Sequence, residues 1–393
     1  MKISNGLRNF KLNNNSLFHV GYFLLILNQI LAQSQYNEML LSSLLLKILR
    51  WFLIGYFLIL ILRKGKYPYN QKGIIWCVFA IALLTEMLFF NGKLLLLILF
   101  VLVISSYKTN IASLLKNHMS ALILGLFIVI LSSLFGILDT LGVYKQFDNI
   151  TGFLFKKDNM RFAFGFVNSN VIPITCLYLY LYVILIKGDT YKWYYDIIAV
   201  LINYVTFLLC GSRVCIMLVF LAVILRWFIV INKKCFMSLL VPVTSLILIG
   251  CLLFSIVLPG SSLYLTSFVT FIDKLLTARI TIMRNVLSRY PITLFGYGGI
   301  SIDDSVDYLV MDNGYLALFV MRGMIIGLIF IIFLFMMIWD AKKNKNPYFL
   351  LFMTIMIIAN IVDNSILHYI TFPIYVISFN GVISMYIKQG KRK

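Results

Sequence analysis

The chain has 393 residues, 62% of them hydrophobic and 12% charged, and its mean hydropathy is +0.96. Soluble domains carry about 25% charged residues, so two or three soluble domains are excluded and a single polytopic membrane domain over residues 1–393 is expected. The formal net charge of +20 would suit a nucleic-acid ligand, but its distribution along the chain is that of a topology signal.

Lys2, Arg8 and Lys11 run into the first apolar stretch without a small-residue cleavage pattern, so no cleaved signal peptide is expected. Apolar runs then predict about twelve membrane helices, near 17–33, 44–62, 74–90, 94–106, 118–138, 166–186, 194–210, 214–231, 237–258, 314–339, 348–363 and 369–387. Lys47 and Arg50, near the start of the second run, are read as snorkelling cations. Glu86, inside the third, is read as a partner for a basic residue. The alternate connections 1–16, 63–73, 107–117, 187–193, 232–236, 340–347 and 388–393, together with Arg226 near a helix end, hold 21 of the 34 Lys and Arg. Only three acids, Asp189, Asp196 and Asp340, fall on or near that side, which therefore carries about +18. Short Lys/Arg-rich connections stay in the cytoplasm, which predicts a multi-pass cytoplasmic-membrane protein with both termini inside and no nucleic-acid partner. Cys77, Cys176, Cys210, Cys215, Cys235 and Cys251 have no paired spacing and are read as small packing residues.

The connections on the opposite side are short except for 139–164 and 259–313, and each long one leads into a run with a polar start, Asn168-Ser169-Asn170 and Asp312-Asn313. Long loops in compact proteins are usually functional or disordered. The second is expected to be ordered, because Leu276, Ile280, Met283, Leu287 and Tyr290 form one apolar stripe at helical spacing and Pro291 ends it. Such a helix can lie flat in the membrane interface with its apolar face in lipid. Arg279, Arg284 and Arg289 are spaced by five, a turn of roughly 140° each, so they cannot share one face. The glycines of Phe295-Gly296-Tyr297-Gly298-Gly299 are read as a flexible turn that folds the loop back over the bundle, and Asp303, Asp304 and Asp307 follow it.

No nucleotide-binding loop, zinc-type His motif, paired CxxC or serine elbow occurs, so neither a metal nor a cofactor is expected. The chemical clue is a set of arginines on the side away from the lysines: Arg161, Arg213, Arg279, Arg284, Arg289 and Arg322. A guanidinium offers a planar fork to phosphate and keeps its charge. Arg213 lies in the tight turn Cys210-Gly211-Ser212-Arg213, and Arg322 lies about two turns inside the tenth run, where a cation must be paired or line a polar cavity. Asp312 has two readings, a helix N-cap or a general base that takes a proton from an attacking hydroxyl. Asp363 and His368 bracket a short turn, with His368 read as a solvated loop residue, and Gly323 and Gly327 form a small-xxx-small packing pattern.

These residues resemble the Wzy-type O-antigen and capsular polysaccharide polymerases, relatives of the O-antigen ligases. The matching features come in order. Arg161-Phe-Ala-Phe-Gly165-Phe166-Val-Asn168-Ser-Asn170 opens a run, followed by Gly211-Ser212-Arg213. The large loop then carries Ala278-Arg279-Ile280 and Leu294-Phe295-Gly296-Tyr297-Gly298, and Asp312-Asn313-Gly-Tyr315 opens a run containing Gly323. The resemblance covers about residues 160–340 and implies a GT-C-type fold. It implies transfer of a growing glycan from undecaprenyl pyrophosphate to a lipid-linked repeat unit on the outer membrane face. Arg213 and Arg279 would neutralise the leaving pyrophosphate, and Asp312 would be the base. Arg161, Asn168, Arg284, Arg289, Asn313, Tyr315 and Arg322 would bind substrate. The partners implied are the undecaprenyl-pyrophosphate-linked oligosaccharide, membrane lipid, a chain-length regulator and a flippase. The ligase branch carries a catalytic His where this chain has Asp312, a departure that favours polymerase over ligase. A lipid-linked oligosaccharide flippase is the alternative from another class, and the concentration of charge at one edge weighs against it.

Overall fold

The computed structural model describes residues 14–64, 95–106, 109–140, 161–261, 266–275, 279–297, 313–364 and 368–378. Among these the chain is helical, and the one β contact is an isolated bridge between Ser34 and Phe166. The helices are α1 Asn14–Leu31, α2 Leu40–Lys64, α3 Leu95–Ser105, α4 Ile111–Leu134, α5 Val171–Lys187, α6 Tyr194–Cys210 and α7 Arg213–Ile231. They continue as α8 Lys233–Leu252, α9 Ser267–Leu275, α10 Arg279–Arg289, α11 Gly314–Lys343, α12 Pro347–Ala359 and a final helix α13, Tyr369–Ser378. A π-turn, Leu253–Val257, and one further turn, Leu258–Gly260, prolong α8.

Six of these segments are long and apolar enough to cross a membrane: Leu40–Arg63, Ile111–Leu134, Val171–Thr190, Arg213–Ile231, Lys233–Gly260 and Gly314–Lys343. Four shorter apolar helices, Asn15–Leu31, Tyr194–Cys210, Pro347–Ala359 and Tyr369–Ser378, accompany them. The expected span 94–106 is helical only over Leu95–Ser105, about 16 Å of helix against a hydrocarbon core of about 30 Å. The expected span 74–90, with Glu86 and Cys77, lies outside the described residues, as does the end of 369–387.

Asparagine starts several helices, because its side-chain oxygen accepts from the otherwise unpaired first N–H groups. Asn110 caps α4 through Ala112 N (2.9 Å), Asn232 caps α8 through Cys235 N (2.9 Å), and Asn346 caps α12 through Phe349 N (3.0 Å) just ahead of Pro347. The helix so started, α12, is apolar on every side and almost wholly buried, which makes it the central post of the bundle. It packs against α5, α7, α8 and α11, while α1 lies against α2 and α4 in the other half of the same core.

The connections sort to two ends. At one, Asp189 accepts from Lys233 Nζ (3.0 Å) and from Tyr348 OH (2.7 Å), which brings the α5–α6, α7–α8 and α11–α12 connections together with their lysines. Arg226, counted in the sequence as a cation near a helix end on this side, forms a buried ion pair with Asp196 near this end. Its Nε donates to Asp196 Oδ1 at 3.0 Å and its Nη2 to Oδ2, while Tyr180 and Tyr191 hydroxyls each donate to Oδ1 at 2.8 Å. The guanidinium also faces the Tyr191 and Trp227 rings, 4.8 and 4.9 Å from their centroids. At the other end gather α1–α2, the segment after residue 161, α6–α7, the α10 region and the turn after α12, linked by the contacts described below.

Breaking a buried pair by removing one partner leaves an uncompensated charge, at a cost of about 3–5 kcal/mol, whereas replacing both is often near neutral. Asp196→Ala should therefore lower the melting temperature in detergent far more than Asp196→Leu combined with Arg226→Met. Equal losses from the two variants in a thermal unfolding series would show that the pair contributes no such coupling.

Candidate functional site

The polar start at Arg161 is positioned by three helix ends. Phe162 N donates to Leu209 O at the end of α6 (3.0 Å), Gly165 N to Asp139 O beyond α4 (3.0 Å), and Gln35 N beyond α1 to Gly165 O (2.9 Å). Gly165 has φ +83° and lies so close to Leu138 and Val129 that a Cβ would meet them at 2.8 and 3.1 Å. The Arg161 side chain lies across the α6–α7 turn, because a Cβ on Gly211 would stand 2.9 Å from its Nε. Gly211 closes α6 in the left-handed conformation (φ +72°), its N–H donating to Phe207 O at 2.8 Å. Two residues later α7 begins with Arg213, which is exposed, so Arg161 and Arg213 flank one turn. Asn168 is exposed and turns its own backbone into α5 by accepting from Asn170 N (2.9 Å).

The helix expected in the large loop exists as α10, Arg279–Arg289, and stops before Pro291. Its buried stripe is Ile280, Met283 and Val286, which packs on Leu316 and Val320 of α11 and Val269 of α9, with Leu287 and Tyr290 at the border. The expectation that this face lies in lipid is corrected: the first half of α11 covers it, because that half-helix offers an apolar groove within the protein. Leu276 lies outside the described residues. Arg284 and Arg289 are exposed, whereas Arg279 is half-buried and its Nη1 donates to Val362 O beyond α12 at 2.7 Å. The three therefore do not act as one cluster, as their five-residue spacing requires. Asp273 holds the start of α10 by accepting from Ile280 N (2.7 Å), Thr281 N (3.3 Å) and the Thr281 hydroxyl. It precedes α10 by too many residues for local capping rules, so sequence reading passed over it.

Helix α11 opens at the same place. Asp312 lies outside the described residues, with Gly298, Gly299, Asp303, Asp304 and Asp307. The capping role considered for Asp312 belongs to Asn313, whose Oδ1 accepts from Leu316 N (2.8 Å). Its Nδ2 donates to Ser255 Oγ in the π-turn of α8 (2.8 Å) and to Ile361 O beyond α12 (3.0 Å). Tyr315 is fully buried and its hydroxyl donates to Ile357 O (2.9 Å). Asn313 and Tyr315 were expected to bind substrate. Here both are occupied inside the protein, since a helix start buried against α8 and α12 needs capping and anchoring more than it needs an exposed polar face.

Arg322 is buried beside a break. At Gly323 the backbone leaves the helix (φ 83°, ψ 169°), and residues 293–297 fill the gap. Tyr297 N donates to Val320 O (3.0 Å), Met324 N to Thr293 O (2.9 Å) and Ile325 N to Leu294 O (3.3 Å). Gly296 (φ +75°) and Gly323 face each other so closely that a Cβ on either would come within 2.5 Å of the other's backbone N. Gly296 is therefore a required contact rather than a flexible hinge, and Gly323 is a break point rather than half of a helix-packing pair.

The turn after α12 completes the site. Asn360 O accepts from Gly314 N (2.8 Å), Ile361 O from Asn313, and Val362 O from Arg279. Asp363 O lies 3.1 Å from where a Gly314 Cβ would stand. The Asp363 carboxylate is within electrostatic reach of Cys215, in the first turn of α7, and of Tyr369. The Asp363 backbone follows Val362, whose carbonyl Arg279 holds. His368 contacts Gln33 of α1, and burial pushes its imidazole down to about 3, so it is neutral at physiological pH and a poor proton acceptor. The start points of α7, α10 and α11 also lie here, and helix N-termini carry partial positive charge. Among the described residues no group of His, Cys, Asp and Glu is arranged to hold a metal ion. No family model, no curated protein and no solved structure matches the chain.

Two outcomes follow. Gly323→Ala and Gly296→Ala should each lower thermal stability in detergent by more than the roughly 1–3 kcal/mol of a strained backbone, because a clash with backbone is added. Gly55→Ala, in helix with nothing near its Cβ position, is the control, and equal behaviour of all three would contradict the inserted-loop account. For His368, the folded value lies below the unfolded 6.5. Its stabilisation is therefore complete above pH 6.5 and declines as pH falls toward about 3. His368→Gln should show a shallower stability loss than wild type across that window in pH-jump unfolding.

Proposed function

We propose that the protein is a membrane glycosyltransferase of the polysaccharide-polymerase type, with about twelve spans and a GT-C-like architecture. It would move a growing glycan from undecaprenyl pyrophosphate to the hydroxyl of a lipid-linked repeat unit, outside the cytoplasmic membrane. The observation that carries this reading is the gathering of Arg161, Arg213 and Arg279 at one end of the bundle, around helix N-termini and away from the lysine-rich end. Transfer needs charge stabilisation at the leaving pyrophosphate, and fixed guanidinium groups supply it without reorganising. Arg161 and Arg213, on either side of the Gly211 turn, are the pair best placed to take the two phosphates. Arg279 acts on the same site through the Val362 carbonyl it holds. Arg284, Arg289 and Asn168, exposed nearby, would meet the lipid or sugar portions of the substrate. A chain-length regulator and a flippase belong to the same proposal as partners.

A flippase is the second reading, favoured by the broken helix at Gly323, since interrupted helices form substrate sites in transporters. Residues 293–297 fill that break with backbone hydrogen bonds, which leaves it less open to a substrate.

Purified protein in lipid, given only undecaprenyl-pyrophosphate repeat units, should produce a ladder of glycan lengths. Unchanged single units from folded protein would overturn the polymerase reading, and their movement across the bilayer would establish the flippase instead. Extension only when a different acceptor is added would identify a ligase-like transferase. Arg213→Ala should slow ladder formation by about 10²–10³ with normal membrane expression. Arg213→Lys should fall between, because lysine lacks the bidentate fork. Full-rate ladders from Arg213→Ala would remove the phosphate-clamp role.

A further inference from the structure

The turn after α12 is held more tightly than a connecting turn requires. Asn360, Ile361 and Val362 each lend a carbonyl to a different donor, Gly314 N, Asn313 Nδ2 and Arg279 Nη1, and Asp363 N donates back to Ala359 O at 3.0 Å. The contact between Asp363 O and Gly314 exists because no side chain intervenes. The backbone of Asp363 is thus fixed by α10, α11 and α12 together, while its side chain is only half-buried. Groups held this way suit chemistry that needs a defined position.

The other described carboxylates at this end do not share that setting. Asp273 is committed to the start of α10 with both oxygens. Glu38 and Asp139 are exposed beyond α1 and α4, on the side of the Gln35 and Gly165 contacts. His368 is neutral and remains so well below physiological pH. Asp363 alone among them follows directly on the residue that the Arg279 guanidinium grips, and its charge is felt at Cys215, two residues beyond Arg213.

We propose that Asp363 is the proton acceptor of the transfer reaction, fixed in place by Arg279 and Asn313 as positioning residues. The assignment rests on the glycosyl-transfer reading given above. As the acceptor hydroxyl oxygen bonds to the anomeric carbon, its proton passes to the Asp363 carboxylate. The bond from that carbon to the pyrophosphate oxygen breaks, and its electron pair leaves with the pyrophosphate, where Arg213 and Arg161 meet the charge. The neutral carboxylic acid then releases its proton to water. The charged and titratable groups around Asp363 are Arg279 of α10, Arg213 and Cys215 of α7, Arg161 beside the Gly211 turn, and His368 and Tyr369 ahead of α13. Burial brings His368 down to about 3, close to a carboxylate, so the acid limb of the rate profile is assigned to Asp363 by its loss in Asp363→Asn and its persistence in His368→Gln.

The test uses the full chain in lipid with undecaprenyl-pyrophosphate repeat units, reading initial ladder rates against substrate concentration and pH. Asp363→Asn should reduce kcat by about 10²–10⁴, with KM little changed and the acid limb lost. Asp363→Glu should retain part of the rate with the acid limb displaced. A wild-type ladder together with full-rate Asp363→Asn overturns the assignment alone. Folded wild type that forms no ladder overturns the polymerase reading and this assignment with it. Should Asp363→Asn not be recovered as a monodisperse protein, Asp363→Glu decides: an unchanged rate and acid limb overturn the assignment, and a lowered rate with a displaced limb supports it.

Discussion

Backbone polar groups in an apolar bundle must find partners within the protein, because lipid offers none. This chain breaks a helix inside its bundle at Gly323, and the hydrogen bonds lost there are replaced by residues 293–297. Much of the site depends on that exchange. The inserted segment follows α10 by a few residues, so seating it fixes α10 along the first half of α11. With α10 fixed, Arg279 reaches the carbonyl of Val362 and not open solvent. With α11 divided, its first half is short enough to be placed by its own cap, Asn313, against the π-turn of α8 and the turn after α12. A continuous α11 would need neither the loop nor these clamps.

Sequence periodicity made part of this legible. The stripe through Ile280, Met283 and Leu287 gave α10, Pro291 gave its end, and the arginine spacing showed that Arg279, Arg284 and Arg289 do not share one face. These are local properties, set by residues within a few turns of one another. What the sequence hid depends on distant partners. Asp312 is the cap that the sequence suggests, and Asn313, expected to bind substrate, takes that place with its amide held by Ser255 and Ile361. Tyr315 opens a polar-looking motif but points into the core. Asp273 serves a helix that begins six residues further on. Glycine's permissiveness also misleads: Gly296 and Gly323 look like sites of freedom, yet each has a positive φ and lacks room for a Cβ, so they are among the most constrained positions.

The charge pattern divides in the same way. Lysines at the α5–α6, α7–α8 and α11–α12 connections do cluster at one end, as the uneven count of basic residues suggested. Arg226, counted near a helix end on this side, does lie there, but the count does not show that it is buried and paired. Its neutralising partner, Asp196, is one turn or so into α6, and their pairing is visible only when α6 and α7 are packed together. A charge tally treats each group as hydrated. Burial removes the water and makes the partner decisive.

The two ends of the bundle are consequently fastened by different chemistry. The lysine-rich end holds α5, α6 and α7 with a buried ion pair, two tyrosine hydroxyls and stacked rings, a fastening in which the two charges neutralise each other. At the opposite end the fastening is done mainly by backbone carbonyls and asparagine amides, which bring no net charge. Arg279 too donates to a carbonyl there, a contact that fixes the side chain without adding a charge. The carbonyls and amides that do most of this fastening add no charge of their own to the region that carries Arg161, Arg213 and Arg279. The proton acceptor proposed at Asp363 follows the same division, because the turn that carries it is fastened to its neighbours through backbone carbonyls.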